Sequence, residues 1–233
     1  MLFVFLFSLS LFCPIFFVVI FIEINEDGAN SDEAIDYMYE FIKKCATDNG
    51  WNQTLIALPY AKNMHQGQLR KSKSNHAVPY IYHPLIVAAQ AIALGIYEDE
   101  IIATALLHDV CEDCGKKKDE LPVNDIVKEA VGLLTKDISL YSKEINAETD
   151  YYNGISTNKI ACVVKLLDRC NNISDMVTAF SKEKMIDYIE STKYWIYPLF
   201  DIIEREYSEY STRLFSLRYH MSSVIKSLDI MIK

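Results

Sequence analysis

Leu106-Leu107-His108-Asp109-Val110-Cys111-Glu112-Asp113 is the stretch on which the reading of this chain turns. On a helix advancing about 100° per residue, His108, Asp109, Glu112 and Asp113 fall within an arc of about 140°. Cys111 and Cys114 fall on the other side. The preceding turns, with Ile101, Ile102, Ala105, Leu106 and Leu107, are apolar, so four ionisable groups gather at the end of a helix built for burial. Glu112 and Asp113 lie in the last turn before Gly115, where the helix dipole disfavours negative charge by about 0.3–1 kcal/mol each. Three carboxylates this close also repel one another. A bound divalent cation reverses both penalties, and local rule-breaking of this kind tends to mark function. The competing reading is a solvated helix end beside the basic run Lys116 to Lys118.

Two further segments favour the cation. His83 and Asp168 each end or punctuate an apolar run, Pro79-Tyr80-Ile81-Tyr82-His83-Pro84 and Val163-Val164-Lys165-Leu166-Leu167-Asp168-Arg169. Two imidazoles and two carboxylates suit one Mn²⁺, Fe²⁺ or similar ion, leaving positions open for water and a phosphate oxygen.

The pattern around these segments is helical. Pro84 is expected to open a helix with His83 in the cap position, and the run Leu85 to Leu94 continues it until Gly95. A second helix is expected from Glu98 or Asp99 to Cys114, ended by Gly115. A third should span about Asn158 to Asn172, with Ile160, Val163, Val164 and Leu167 at i, i+3, i+4 and i+7. Others are expected over about Lys182 to Trp195, Leu199 to Tyr207 and Thr212 to Met231. With seven glycines, six prolines and no sustained alternation, the fold class is all-α: a multi-helix bundle preceded by a hydrophobic N-terminal segment.

That segment, residues 1–22, carries no Lys or Arg and is broken only by Ser8, Ser10 and Pro14. Its length matches the roughly 20 apolar residues that span a bilayer. It reads as a membrane anchor, as an upstream artefact of start-site choice, with Met38 as a plausible start, or as a cleaved signal. Residues 23–32 read as a linker and 33–233 as the functional domain. An anchor would leave that domain in the cytosol; otherwise the protein is expected to be cytoplasmic.

The net charge of −9, from 32 acidic and 23 basic residues, argues against a general nucleic-acid binder, which needs a basic face to replace phosphate counterions. An anionic substrate would have to be drawn by a local cation or a small basic patch. The six cysteines lie mostly inside apolar segments, which suits a reduced compartment.

Four motifs, taken in order, resemble the hydrolase domain of the RelA/SpoT family, which includes stand-alone small alarmone hydrolases. They are Gln66-Gly67-Gln68-Leu69-Arg70-Lys71, Pro79-Tyr80-Ile81-x-His83-Pro84, Leu106-Leu107-His108-Asp109-Val110-x-Glu112-Asp113, and Val164-Lys165-Leu166-Leu167-Asp168-Arg169-x-x-Asn172. The similarity runs from about Leu58 to Asn172, with similar spacing. The resemblance implies an HD-type phosphohydrolase bundle in which His83, His108, Asp109 and Asp168 bind one Mn²⁺. It implies that Glu112 and Asp113 orient and activate the attacking water. Arg70 and Lys71 would bind the nucleotide, and Tyr80 and Asn172 would line its base and ribose pocket. The reaction implied is removal of the 3′-pyrophosphate from guanosine tetra- or pentaphosphate, giving GDP or GTP.

The chain departs from the family pattern in places. Residues 72–78 make a longer segment without the common glycine, Cys114 replaces a customary threonine, and Ser174 and Asp175 stand where Arg and Thr are frequent. The C-terminal third resembles the family only in being helical. Rival readings are an HD phosphohydrolase of another nucleotide, such as a nicotinamide dinucleotide phosphate or a nucleoside polyphosphate, and a nucleotide sensor without turnover. Retention of Glu112 and Asp113 argues against the sensor. Cys111-x-x-Cys114 has no second pair and reads as core cysteines, and His65 reads as structural. Tyr188, Tyr194, Trp195, Tyr197, Phe200, Tyr207 and Tyr210 read as a packed face, with nucleotide stacking by one tyrosine as the alternative.

Overall fold

A computed structural model describes residues 31–70, 78–137 and 146–232. The expected anchor at 1–22 and most of the expected linker lie outside the described residues, as do Lys71 and His76. Among the described residues, no helix is long and apolar enough to cross a membrane.

The described chain is helical, as the apolar periodicity requires. Helix α1 (Ser31–Asn49) and α2 (Asn52–Met64) precede α3 (Tyr82–Ala93) and α4 (Asp99–Leu107). Then come the short α5 (Val110–Cys114), α6 (Asp125–Leu134) and α7 (Ala147–Ser156). The long α8 (Lys159–Ala179) leads to α9 (Lys182–Ser191), α10 (Tyr197–Glu206) and α11 (Ser211–Ile232).

Helix α4 is the axis of the bundle. Every residue from Ile101 to Leu107 is buried, as expected of a helix that is apolar all round. It packs against α2, α3, α6 and α8. Its first residue also serves a neighbour: the Asp99 carboxylate accepts the Gln53 and Thr54 backbone N–H groups at 2.8 and 2.7 Å. Helix α2 has no side-chain cap of its own, so Asp99 satisfies its orphan donors and fixes the register of α2 on α4. Asn124 and Asn158 cap α6 and α8 by accepting from Val127 N and Ala161 N.

Three expected helices differ in the structure. The helix expected to run unbroken to Cys114 is interrupted at His108 and Asp109, where α4 ends and α5 begins. His108 Nδ1 bonds the Ala105 carbonyl at 2.8 Å and competes for the acceptor that would continue the helical ladder. Asp109 relaxes to φ −100°, ψ −7°, and the helix resumes when Asp113 N–H reaches the Asp109 carbonyl at 2.8 Å. Pro84 is the third residue of α3, whose cap is Ile81. A proline costs nothing there, because first-turn N–H groups have no intrahelical acceptor. Helix α8 runs seven residues beyond Asn172, to Ala179, because Ile173 and Met176 extend its buried stripe.

Gly95 and Gly115 end their helices with φ of +75° and +65°, the left-handed turn that favours glycine. One non-helical feature positions the site. Leu69 and Pro79 form an antiparallel bridge, with Arg70 N–H on the Val78 carbonyl and Tyr80 N–H on the Gln68 carbonyl. It sets Gln68, Arg70 and Tyr80 on the rim of a cleft.

Candidate active site

His83 from the first turn of α3, His108 and Asp109 from the α4–α5 kink, and Asp168 from the middle of α8 meet at one point. His83, His108 and Asp168 each offer one ligand atom, and these lie within 4.8 Å of one another. The two imidazole Nε2 atoms are 3.2 Å apart. Asp168 Oδ1 lies 3.3 Å from His83 Nε2 and 3.8 Å from His108 Nε2. Asp109 Oδ2 closes the group at 3.1 Å from His108 Nε2 and 3.5 Å from His83 Nε2.

The surroundings fix which atoms face inward. His108 Nδ1 bonds a carbonyl oxygen and must donate to it. His83 Nδ1 lies 2.7 Å from Asn171 Oδ1, an atom that also accepts from Arg70 Nη1 at 3.2 Å. Arginine can only donate, so the Asn171 atom is an acceptor and His83 Nδ1 also carries its proton. Both Nε2 atoms therefore face each other and two carboxylates. Positive charge is favoured at that point, whether from a bound cation or from a proton on an imidazole. Neutral imidazoles with a bonded Nδ1–H and inward carboxylates are the donor set of a first-row divalent ion, and the residues present fit one.

The electrostatics agree. Burial alone would depress the His108 imidazole, but the Asp109 and Asp168 carboxylates outweigh it and push it up to about 9. Burial would raise both carboxyls. His108 overrides this at Asp109 and Lys165 with His83 at Asp168, so both stay well below the usual carboxylate range. The carboxylates are braced as well. Tyr80 OH donates to Asp109 Oδ2 at 2.6 Å, Asn172 Nδ2 to Asp168 Oδ1 at 2.6 Å, and Lys165 Nζ to Asp168 Oδ2 at 3.0 Å.

This group forms the floor of a cleft of about 690 Å³. Glu112 and Asp113, on α5, line one wall. Glu112 Oε2 accepts the Lys136 backbone N–H at 3.1 Å, and burial raises its carboxyl. Tyr80 and Asn172 line the cleft while bracing Asp109 and Asp168. Arg70 lies at the rim, bound to Asn171, to Asn172 at 2.9 Å and to Asp175 at 3.1 Å.

Sequence reasoning missed part of the lining: Lys136, Tyr151, Lys165, Arg169, Lys184 and Tyr188. Lys165 had a usable signal, since a residue three before Asp168 shares its helix face. Tyr188, read as core, stacks its ring on the Arg169 guanidinium at 4.0 Å. His65 is structural as expected, with Nδ1 2.7 Å from Gln68 Oε1 and its ring 4.8 Å from that of Tyr80. Among the described residues the cysteines are free, and Cys111 is buried.

A helical bundle with a His-Asp kink facing a second histidine and a distant aspartate defines the class: an HD-type hydrolase domain. No family model matches the chain. It is 30% identical over 145 residues to the guanosine-3′,5′-bis(diphosphate) 3′-pyrophosphohydrolase MESH1 of Mus musculus, covering 59% of this chain and 79% of that protein. It is also 30% identical over 130 residues to the guanosine-3′,5′-bis(diphosphate) 3′-pyrophosphohydrolase of Borreliella burgdorferi, covering 52% of this chain but 18% of that protein's length. A solved structure, of a metazoan ortholog of SpoT described as hydrolysing ppGpp, shares the fold. Its TM-score is 0.59 at 22% identity, over 76% of this chain and 95% of that one. The chain belongs to the guanosine-3′,5′-bis(diphosphate) 3′-pyrophosphohydrolase family.

Proposed function

We propose that the protein is a hydrolase dependent on one divalent cation, with manganese the candidate, that removes the 3′-pyrophosphate of guanosine tetra- or pentaphosphate to give GDP or GTP. The observation that carries this reading is the pair of inward Nε2 atoms, 3.2 Å apart and flanked by Asp109 and Asp168, beside an acidic pair in the same cleft. His83, His108, Asp109 and Asp168 would hold the ion. When bound, such an ion supplies Lewis acidity, drawing charge from a phosphate oxygen and lowering the proton affinity of nearby water.

The chain's own groups do the rest. Glu112 takes a proton from the attacking water, aided by a carboxyl already raised by its surroundings, and Asp113 holds that water in line. The water oxygen bonds to the phosphorus on the ribose 3′-oxygen as that P–O bond breaks. The 3′-oxygen leaves with the bonding pair and is protonated, while pyrophosphate departs with the new oxygen. Arg70, Tyr80 and Asn172 would border the nucleoside end, to which the family resemblance also assigns Lys71. The catalytic unit is the segment 33–233.

The test is a panel of phosphorylated nucleotides, including guanosine tetraphosphate and nicotinamide adenine dinucleotide phosphate, offered to the metal-loaded protein and to Glu112→Gln. The variant should bind metal as the wild type does and lose about 10²–10⁴ in turnover on guanosine tetraphosphate. Full turnover in Glu112→Gln would remove it from the chemistry, and preference for another nucleotide would overturn the substrate.

A further inference from the structure

Arg169 is 4% exposed and lines the cleft, yet it has no carboxylate ion pair among the described residues. Its Nη1 donates to Thr192 Oγ1 at 3.2 Å and its Nη2 to Tyr152 OH at 3.0 Å. Its Nε is buried without a partner. A buried guanidinium bonded to two hydroxyls and stacked on an aromatic face, with the Asp168 charge acting on it without direct contact, is held in place with donor capacity to spare.

Two lysines converge on the same wall. Lys136 Nζ and Lys165 Nζ lie 4.9 and 5.7 Å from the Tyr151 ring centroid. Lys136 Nζ is 5.8 Å from the ring of Tyr152, whose hydroxyl holds Arg169. Burial, and then the Lys165 charge, push the Lys136 ammonium down, as expected where like charges crowd. Asp168 pairs with Lys165 and also faces the two imidazoles, and Glu112 and Glu148 act on Lys136. Arg70, at the other end of the cleft, already has three acceptors from α8.

We infer that Lys136, Lys165 and Arg169 form an anion pocket for the distal phosphoryl group of the pyrophosphate being removed. This orients the substrate, with its nucleoside toward Arg70 and its 3′-pyrophosphate along the metal group into the basic wall. The assignment rests on the proposed reaction for the identity of the anion, while the pocket itself can be tested without that reaction.

The experiment is calorimetric titration of the full-length, metal-loaded protein with inorganic pyrophosphate and, separately, orthophosphate, with metal matched in cell and syringe. Pyrophosphate should bind more tightly than orthophosphate. Lys136→Gln should weaken pyrophosphate about tenfold, as for a lost charge-assisted hydrogen bond, and leave orthophosphate within about twofold. Arg169→Gln should weaken pyrophosphate at least as much. Lys136 sits nearer the surface, so its variant reports even if the buried replacement fails to fold. Equal affinity of Lys136→Gln and wild type for pyrophosphate, or no preference for pyrophosphate in the wild type, would overturn the pocket. Intact pyrophosphate selectivity without cleavage of guanosine tetraphosphate would keep the pocket and discard the alarmone substrate. Cleavage with unaltered pyrophosphate binding in Lys136→Gln would do the reverse.

Discussion

Asn171 was not singled out in the sequence, yet its one side-chain oxygen fixes which nitrogen of His83 faces the site. It accepts from His83 Nδ1 at 2.7 Å and from Arg70 Nη1 at 3.2 Å, which turns His83 Nε2 toward His108. Outer partners of this kind typically govern metal affinity by about 10–100-fold. Asn171→Ala should therefore weaken the divalent ion by about that factor while leaving the fold intact, measured by competition with a chromophoric chelator. Unchanged affinity would show that packing alone orients His83. The inward residues His83, His108, Asp109 and Asp168 were legible because each interrupts an apolar segment with a polar group. Asn171 was not, because a neutral amide on a buried face carries no such signal. Arg169 stood in a quoted motif, but its burial without a carboxylate is a tertiary fact.

At the scale of elements, helix existence was legible and helix continuity was not. The apolar run through Leu107 and the stop at Gly115 bracket the segment correctly. The interruption comes from a side chain taking a backbone acceptor, His108 Nδ1 on the Ala105 carbonyl, which periodicity does not encode. The kink alters the geometry behind the 140° arc: Glu112 and Asp113 sit on a separate short helix that Gly115 terminates at φ +65°. A Cβ there would meet nothing within 4 Å, so the cost of Gly115→Ala is backbone strain alone, about 1 kcal/mol. Urea unfolding should show that loss with metal affinity unchanged. A loss several times larger would mean that the turn also supports the kink.

For the whole molecule, the site depends on three segments distant in sequence converging, and the bundle makes that unavoidable. Buried α4 packs on α2, α3, α6 and α8, so the ends of α3 and α4 and the middle of α8 share one opening. The all-helical class and the HD site follow from residues that the sequence displays openly. The basic wall does not, because Lys136 follows α6, Lys165 and Arg169 belong to α8, and only packing brings them to Tyr151 and Tyr152. An acidic chain of net charge −9 thus collects positive charge along this wall, beside the group where two imidazoles meet two carboxylates.

In the proposed reaction the His83, His108, Asp109 and Asp168 group holds a metal that enables hydrolysis of guanosine tetraphosphate. Pyrophosphate release by the purified chain, with and without manganese and alongside Asp109→Ala, tests it most directly. Release should require the metal and be abolished, together with metal binding, in Asp109→Ala. Release that persists in a metal-free, Asp109→Ala protein would contradict it.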